Sequence, residues 1–81
     1  MRIDKFLKVS RIIKRRTVAQ EACGSGRIEV NGREAKPSKD IGEGDIVTVR
    51  FGDKRVKFRV LKTVETAGKT AADEMYEIIE D

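Results

Sequence analysis

The sequence predicts an α+β fold in which two short N-terminal helices pack on a small twisted antiparallel sheet. Three observations predict it. Apolar residues recur at helical spacing near the N-terminus, and from Ile28 onward they alternate as strands do. Turn signals then punctuate the alternating stretch: Asn31-Gly32, Gly42-Glu43-Gly44-Asp45 and Gly52-Asp53. The apolar faces of both helices must cover the sheet, because nothing else in the chain can.

Arg2 to about Arg11 reads as the first helix. Ile3, Phe6, Leu7 and Ser10 fall at i, i+3, i+4 and i+7 and define one face. Arg2, Lys5 and Lys8 fall on the opposite face, with Arg11 at its border. Asp4 is spaced to pair with Lys8 at i, i+4. A second helix runs from about Arg16 or Thr17 to Cys23, with Val18, Ala19, Ala22 and Cys23 as its apolar stripe. Thr17 and Gln20 have capping-box spacing, and Gly24 and Gly26 stop the helix. Lys14, Arg15 and Arg16 stand before or in its first turn. Cations there oppose the helix dipole, at about 0.3–1 kcal/mol each when exposed. A docked anion reverses that sign, since free N–H groups and arginines would both hold it.

Strands follow. Ile28 and Val30 alternate into the Asn31-Gly32 hairpin turn, and Ala35 lies on the returning strand. Lys36-Pro37-Ser38 breaks that strand, because proline cannot donate to the ladder. Ile46, Val47, Val49 and Phe51 make the next strand. Val56, Phe58 and Val60, extending toward Val64, alternate along a long return strand, with Lys57, Arg59 and Lys62 between them. The tail fits two patterns. Ala72, Met75, Tyr76 and Ile79 have helical spacing, and Tyr76 and Ile78 have strand spacing. The favoured reading is a helical turn from Thr70 to Glu74 followed by a short strand. Residues 1–81 read as one domain with one modest core, with no repeat, linker or low-complexity segment.

Charge is unevenly spread. Seven of the first sixteen residues are Lys or Arg: Arg2, Lys5, Lys8, Arg11, Lys14, Arg15 and Arg16. Residues 1–62 carry 17 Lys/Arg against 8 Asp/Glu, whereas residues 63–81 carry Lys69 against six acids. A basic body points to a polyanionic partner, and the acidic tail either faces away from it or tempers non-specific binding. A basic run is often only a solvated face, and Arg55, Lys57, Arg59 and Lys62 on the long strand fit that reading. Arg27 and Lys36 flank the hairpin and stay open between the two. Phe6, Phe51, Phe58 and Tyr76 all fit apolar stripes and read as core. That favours structured RNA held through phosphates and shape over single strands stacked on aromatic rings.

Several function classes are set aside. Cys23 is the only cysteine, so no internal disulfide forms and a reducing compartment fits, with cytoplasm as the default. With no histidine, no ordinary zinc or haem site is expected, and no cofactor. No apolar stretch approaches the roughly 20 residues of a membrane span, and the basic N-terminus lacks the apolar core of a signal peptide. No nucleophile–base pair can be named, so an enzyme is not expected. Cys23 reads as a small buried hydrophobe. Gly24-Ser25-Gly26 lacks the context of a phosphate-cradling loop.

An ordered series of residues resembles a known family. Arg2-Ile3-Asp4-Lys5-Phe6-Leu7, Arg11, Arg16, Ala19, Gly26-Arg27-Ile28, Val30-Asn31-Gly32, Lys36-Pro37-Ser38 and Gly44-Asp45 look like the RNA-binding domain named after ribosomal protein S-four. The match covers about residues 2–50. The following strand and the Ala71 to Glu77 segment, within the extension 51–81, look like the free-standing bacterial members. These are the small heat-shock proteins that bind stalled large ribosomal subunits and the RqcP-like proteins, with the latter closer. The resemblance implies the αL RNA-binding fold, in which the helices and hairpin make one RNA-binding face. It places Arg2, Asp4, Lys5, Lys8, Arg11, Lys14 and Arg16 on that face. Many relatives carry Ser or Thr, a natural N-cap, where Arg15 stands, which makes Thr17 an alternative cap.

The resemblance also implies ribosome-associated quality control. There such a protein contacts large-subunit rRNA and an obstructed peptidyl-tRNA, and supports tailing of the stalled chain with alanine by a separate tailing factor. A monomer off the ribosome is expected. The alternative is a ribosome-assembly factor or an RNA-targeting subunit for a modification enzyme. DNA binding is weaker, for want of a recognition-helix pattern.

Overall fold

Both helices form where the apolar spacing puts them, and both run in the expected order before the strands. The computed structural model describes residues 1–65 and 67–79; Glu80 and Asp81, the end of the acidic tail, lie outside the described residues. Helix α1 spans Ile3–Val9 and α2 spans Arg16–Gly24. Strands β1 (Ile28–Val30), β2 (Arg33–Glu34), β3 (Ile46–Phe51) and β4 (Lys54–Val60) follow, then α3 (Lys69–Asp73) and β5 (Tyr76–Ile78). The helical turn and short strand expected for the tail are therefore present.

The five strands are antiparallel neighbours in the order β2-β1-β3-β4-β5. The β1–β2 hairpin turns at Asn31 (φ 53°) and Gly32 (φ 84°). Positive φ at both central positions gives a turn whose twist matches the strands. The loop after β2 then crosses to β3 on the other side of β1 and touches the start of α1. Ile3 N–H donates to Lys39 O (2.8 Å), Asp4 N–H to Pro37 O (3.3 Å) and Ile41 N–H to Met1 O (2.8 Å). Two otherwise orphaned helix N–H groups are satisfied, which fixes the angle at which α1 leaves the sheet.

Ile3, Phe6 and Leu7 of α1 and Ala19 and Cys23 of α2 are buried against Ile28, Val47, Val49, Phe58 and Val60 of the sheet. Phe6 and Phe58 stack with ring centroids 6.0 Å apart, and Tyr76 meets Phe58 edge-on at 5.6 Å. Burying each such ring stabilises the fold by about 1.5–3 kcal/mol. Phe58→Ala would cost about 3–5 kcal/mol, more than any other class of single truncation here.

The structure corrects four details. Helix α1 stops at Val9, because Arg11 adopts a left-handed φ of 65°. Val18 and Phe51, read as apolar-stripe residues, are 46% and 47% exposed. Both line one open groove between α2 and the sheet, and Phe51 is the last residue of β3, opposite Lys54 at the hairpin end. Strand β4 ends at Val60, since Leu61 and Lys62 turn their N–H groups to Met75 O. The Thr17–Gln20 capping box does not form. Arg15 is the extended residue before α2 and no side chain caps the helix.

Candidate nucleic-acid interface

Asp4 organises the helical side. Its side chain is 0% exposed, and its expected partner, Lys8, is not its partner. Arg2 donates through Nε to Oδ1 (3.2 Å) and through Nη2 to Oδ2 (3.0 Å). Arg16 Nη2 reaches Oδ1 at 3.4 Å, Gln20 Nε2 donates to Oδ2 at 3.0 Å, and Lys5 N–H donates to Oδ1 at 2.7 Å. Gln20 is thus engaged by Asp4 rather than by the start of its own helix. Burial by itself raises the Asp4 pKa. The hydrogen bonds from Gln20, Arg16 and the Lys5 backbone outweigh it and hold the carboxyl below its ordinary range.

The sequence expectation set Asp4 among the residues facing the RNA. The structure buries it between α1 and α2, hydrogen-bonded to Arg2, Arg16 and Gln20. The Arg2 and Arg16 side chains stay about half exposed, and a guanidinium's five donors exceed the one or two that each gives to Asp4. The open α2 N-terminus starts at Arg16, and Arg15 beside it is exposed.

A second group lies in and just past the last turn of α1. Lys8, Arg11 and Lys14 line a cleft of about 420 Å³ with Val9, Glu65 and Ala67. Among the described residues, Lys8, Arg11, Lys14 and Arg15 have no ion pair. Lys5 does: it donates to Glu65 Oε2. That hydrogen bond and the Lys5 charge lower the Glu65 pKa.

The two remaining candidates separate. Lys36 is exposed in the loop that meets the α1 N-terminus, on the side of Arg2. Arg27 lines a different groove, with Ile12, Val18, Arg50 and Phe51. Arg50, Arg55, Lys57 and Arg59 alternate onto the sheet's outer face and are engaged there. Arg50 meets Glu29 at 2.9 Å, Arg59 meets Glu77 at 3.3 Å, and neither Arg55 nor Lys57 lacks a partner. Sequence reasoning missed Gln20 and Glu65. Gln20 carried a competing local signal, and Glu65 carried none, being brought to Lys5 by the tertiary fold alone.

Cys23 is buried beneath the helices. Desolvation first, and the Asp4 charge second, push its thiol up to about 11, which suits a packing residue and not a nucleophile. Among the described residues, no group of three His, Cys, Asp or Glu is placed to hold a metal ion. Within that set no helix is long and apolar enough to cross a membrane.

The family model for the S4 domain matches residues 1–47, which hold both helices and the first hairpin. Over all 81 residues the chain is 52% identical to the RQC P-site tRNA stabilizing factor of Bacillus subtilis (strain 168), covering 94% of that protein. It is 53% identical over its whole length to the protein of the same name from Streptococcus pneumoniae (strain ATCC BAA-255 / R6), covering 92% of it. The trimeric structure of Vibrio cholerae Heat Shock Protein 15 superposes with a TM-score of 0.90 at 30% identity, over 98% of this chain and 81% of that one.

Proposed function

The chain belongs to the S4-domain family and, among its members, to the RQC P-site tRNA stabilizing factors, and we propose that it stabilizes tRNA on the ribosome during quality control, as a non-catalytic RNA-binding protein. In this reading residues 1–81 form one RNA-binding domain, a monomer off the ribosome, working in the cytoplasm. It sits on a large subunit bearing an obstructed peptidyl-tRNA, touches both rRNA and tRNA, and supports alanine tailing by a separate factor.

One observation carries the reading. On the helical side Lys8, Arg11, Lys14 and Arg15 have no ion pair among the described residues and Arg2 and Arg16 lean on a buried carboxylate, whereas Arg50 and Arg59 on the sheet's outer face are paired with acids. Unmatched cations at the end of α1 and in the turn before α2 bind a phosphate backbone without first breaking internal pairs. Arg2, Lys5, Lys8, Arg11, Lys14, Arg15, Arg16 and Lys36 contact phosphates, Asp4 positions Arg2 and Arg16, and Arg27 adds a contact at the flank. Each phosphate displaces counterions, so affinity falls steeply with salt. Holding the tRNA in place is then positioning, which needs no catalytic group on this chain.

Pull-down of the tagged protein from cells with stalled translation tests this. Large subunits with peptidyl-tRNA are expected to co-purify. Immature particles without tRNA would overturn the proposal in favour of a role in assembly.

A further inference from the structure

Two residues past the end of each of the first two helices the chain takes a left-handed conformation, with glycine in one place and arginine in the other. After α2, Gly26 takes φ 77°, its N–H donates to Cys23 O (3.2 Å), and Arg27 N–H returns to Ala22 O (2.9 Å). After α1, Arg11 takes φ 65°, its N–H donates to Lys8 O (3.1 Å), and Ile13 N–H returns to Leu7 O (3.1 Å). This left-handed position favours glycine, since any other L side chain is strained there. Packing does not explain the arginine, because Arg11 is exposed and has no ion pair among the described residues. Strain kept at an exposed cation points to a use for the side chain.

The place it faces is the cleft of Lys8, Lys14 and Glu65. Two carboxylates thus stand among the helical-side cations, and they differ in kind. Asp4 is fully buried under five donated hydrogen bonds, so no incoming anion displaces it. Glu65 is largely exposed, comes from the segment after β4, and among the described residues is held through Lys5. An exposed pair of this kind exchanges readily with another anion.

We propose that the cleft of Lys8, Arg11 and Lys14 seats one RNA phosphate, and that Glu65 is the intramolecular competitor an incoming RNA displaces from Lys5. The inference rests on the RNA-binding reading above and adds its regulation. In the free protein Glu65 neutralises Lys5 and places a negative charge at the mouth of the seat. Isolated or weakly charged anions must pay to remove it. A phosphate backbone that engages Arg2 and Arg16 at the same time removes it as part of a larger exchange. The acid therefore acts as a threshold that weakens casual contacts more than the full one.

Binding to purified large subunits bearing peptidyl-tRNA and to an unrelated RNA duplex, at low salt, tests this with three variants. Glu65→Gln should tighten duplex binding about two- to fivefold, the range of an exposed ion pair, and large-subunit binding by less. Glu77→Gln removes the same charge from the same tail but faces Arg59 on the outer sheet face, and should change neither. Arg11→Gly should leave the Tm unchanged or raised while lowering large-subunit affinity about tenfold, with a salt slope shallower by about one. Equal gains from Glu65→Gln and Glu77→Gln would overturn the competitor, since net charge alone would account for both. Full affinity of folded Arg11→Gly would overturn the seat. Either result with Arg16→Ala still impaired leaves the RNA-binding reading standing; an unimpaired Arg16→Ala removes that reading instead.

Discussion

Arg16 and Arg59 are about equally exposed, at 42% and 49%, yet their surroundings differ in kind. Arg16 leans on Asp4, a carboxylate with no exposure, which is shared with Arg2 and Gln20. Arg59 meets Glu77, which is itself exposed, across a regular strand ladder. A buried acid fixes where a guanidinium points and leaves part of its charge to face solvent. An exposed acid cancels the charge and fixes little, at a net worth near 0–1 kcal/mol. Two surfaces with similar numbers of cations can thus be a binding face and a solvated one. The pairing separates them, and the count does not.

The sharpest way to break this comparison is to truncate both arginines. Arg16→Ala should weaken large-subunit binding about 10- to 100-fold, the worth of a lost hydrogen bond to a charged group. Arg59→Ala should change it less than twofold, in keeping with a surface pair. Co-sedimentation measures both, and equal losses would erase the distinction between the faces.

Asp4→Asn attacks the anchor. Losing the charge under Arg2 and Arg16 should cost about 1–3 kcal/mol in chemical denaturation. Its pH signature has a definite sign. The folded pKa of Asp4 lies below the ordinary 3.8, so its stabilisation is present above that value and is lost as pH falls through the folded pKa. The variant should lack this acid limb. An unchanged acid unfolding profile would mean that the guanidiniums do not depend on Asp4.

Salt titration sharpens the comparison further. Replacing Arg2 and Arg16 together should make the log–log salt slope shallower by about one to two units, as two lost phosphate contacts require. Replacing Arg50 and Arg59 should leave the slope unaltered. A loss of affinity with the slope unchanged in the first pair would take those arginines away from phosphate.

Cys23 reports on the same buried charge. Its thiol titrates at about 11 against an ordinary 9.0, so the stability it contributes is complete below pH 9.0 and is lost as pH rises through about 11. Alkylation at neutral pH should be slow until the protein unfolds. Asp4→Asn should lower the thiol pKa by removing one of its two causes. Cys23→Ser should lower the Tm while RNA binding at low temperature persists; a fully folded variant without binding would give the thiol a function.

The smallest effect belongs to the sheet. A double-mutant cycle on Arg59 and Glu77 should yield a coupling of about 0.2–1 kcal/mol in stability. A larger value would show that outer-face pairs also hold structure.

Much of this was legible in the chain. Ile3, Phe6, Leu7 and Ser10 pointed to the buried face of α1, and all four are buried. Asn31-Gly32 marked a hairpin that forms, although its returning strand ends at Glu34, one residue short of Ala35, and the tail's turn and strand were separable. Ordered motif residues indicated the family. What misled were short-range pairings that looked sufficient. Asp4–Lys8 and Thr17–Gln20 had correct helical spacing, but Asp4 turned inward and took Gln20 with it. Phe51 alternated like a core residue, yet it ends its strand and lines an open groove with Ile12 and Val18.

The sequence by itself determined the order of elements, the basic character of the first helix and the family. Those follow from periodicity, turn chemistry and local composition, which act between near neighbours. Only the tertiary structure decided which charges meet. Arg2, Asp4, Arg16 and Gln20 converge because α1 and α2 pack together, and Lys5 finds Glu65 because the chain returns after β4. An ion pair is set by distance and burial in space, where the surrounding dielectric gives each charge its worth, and neither quantity is written in spacing along the chain.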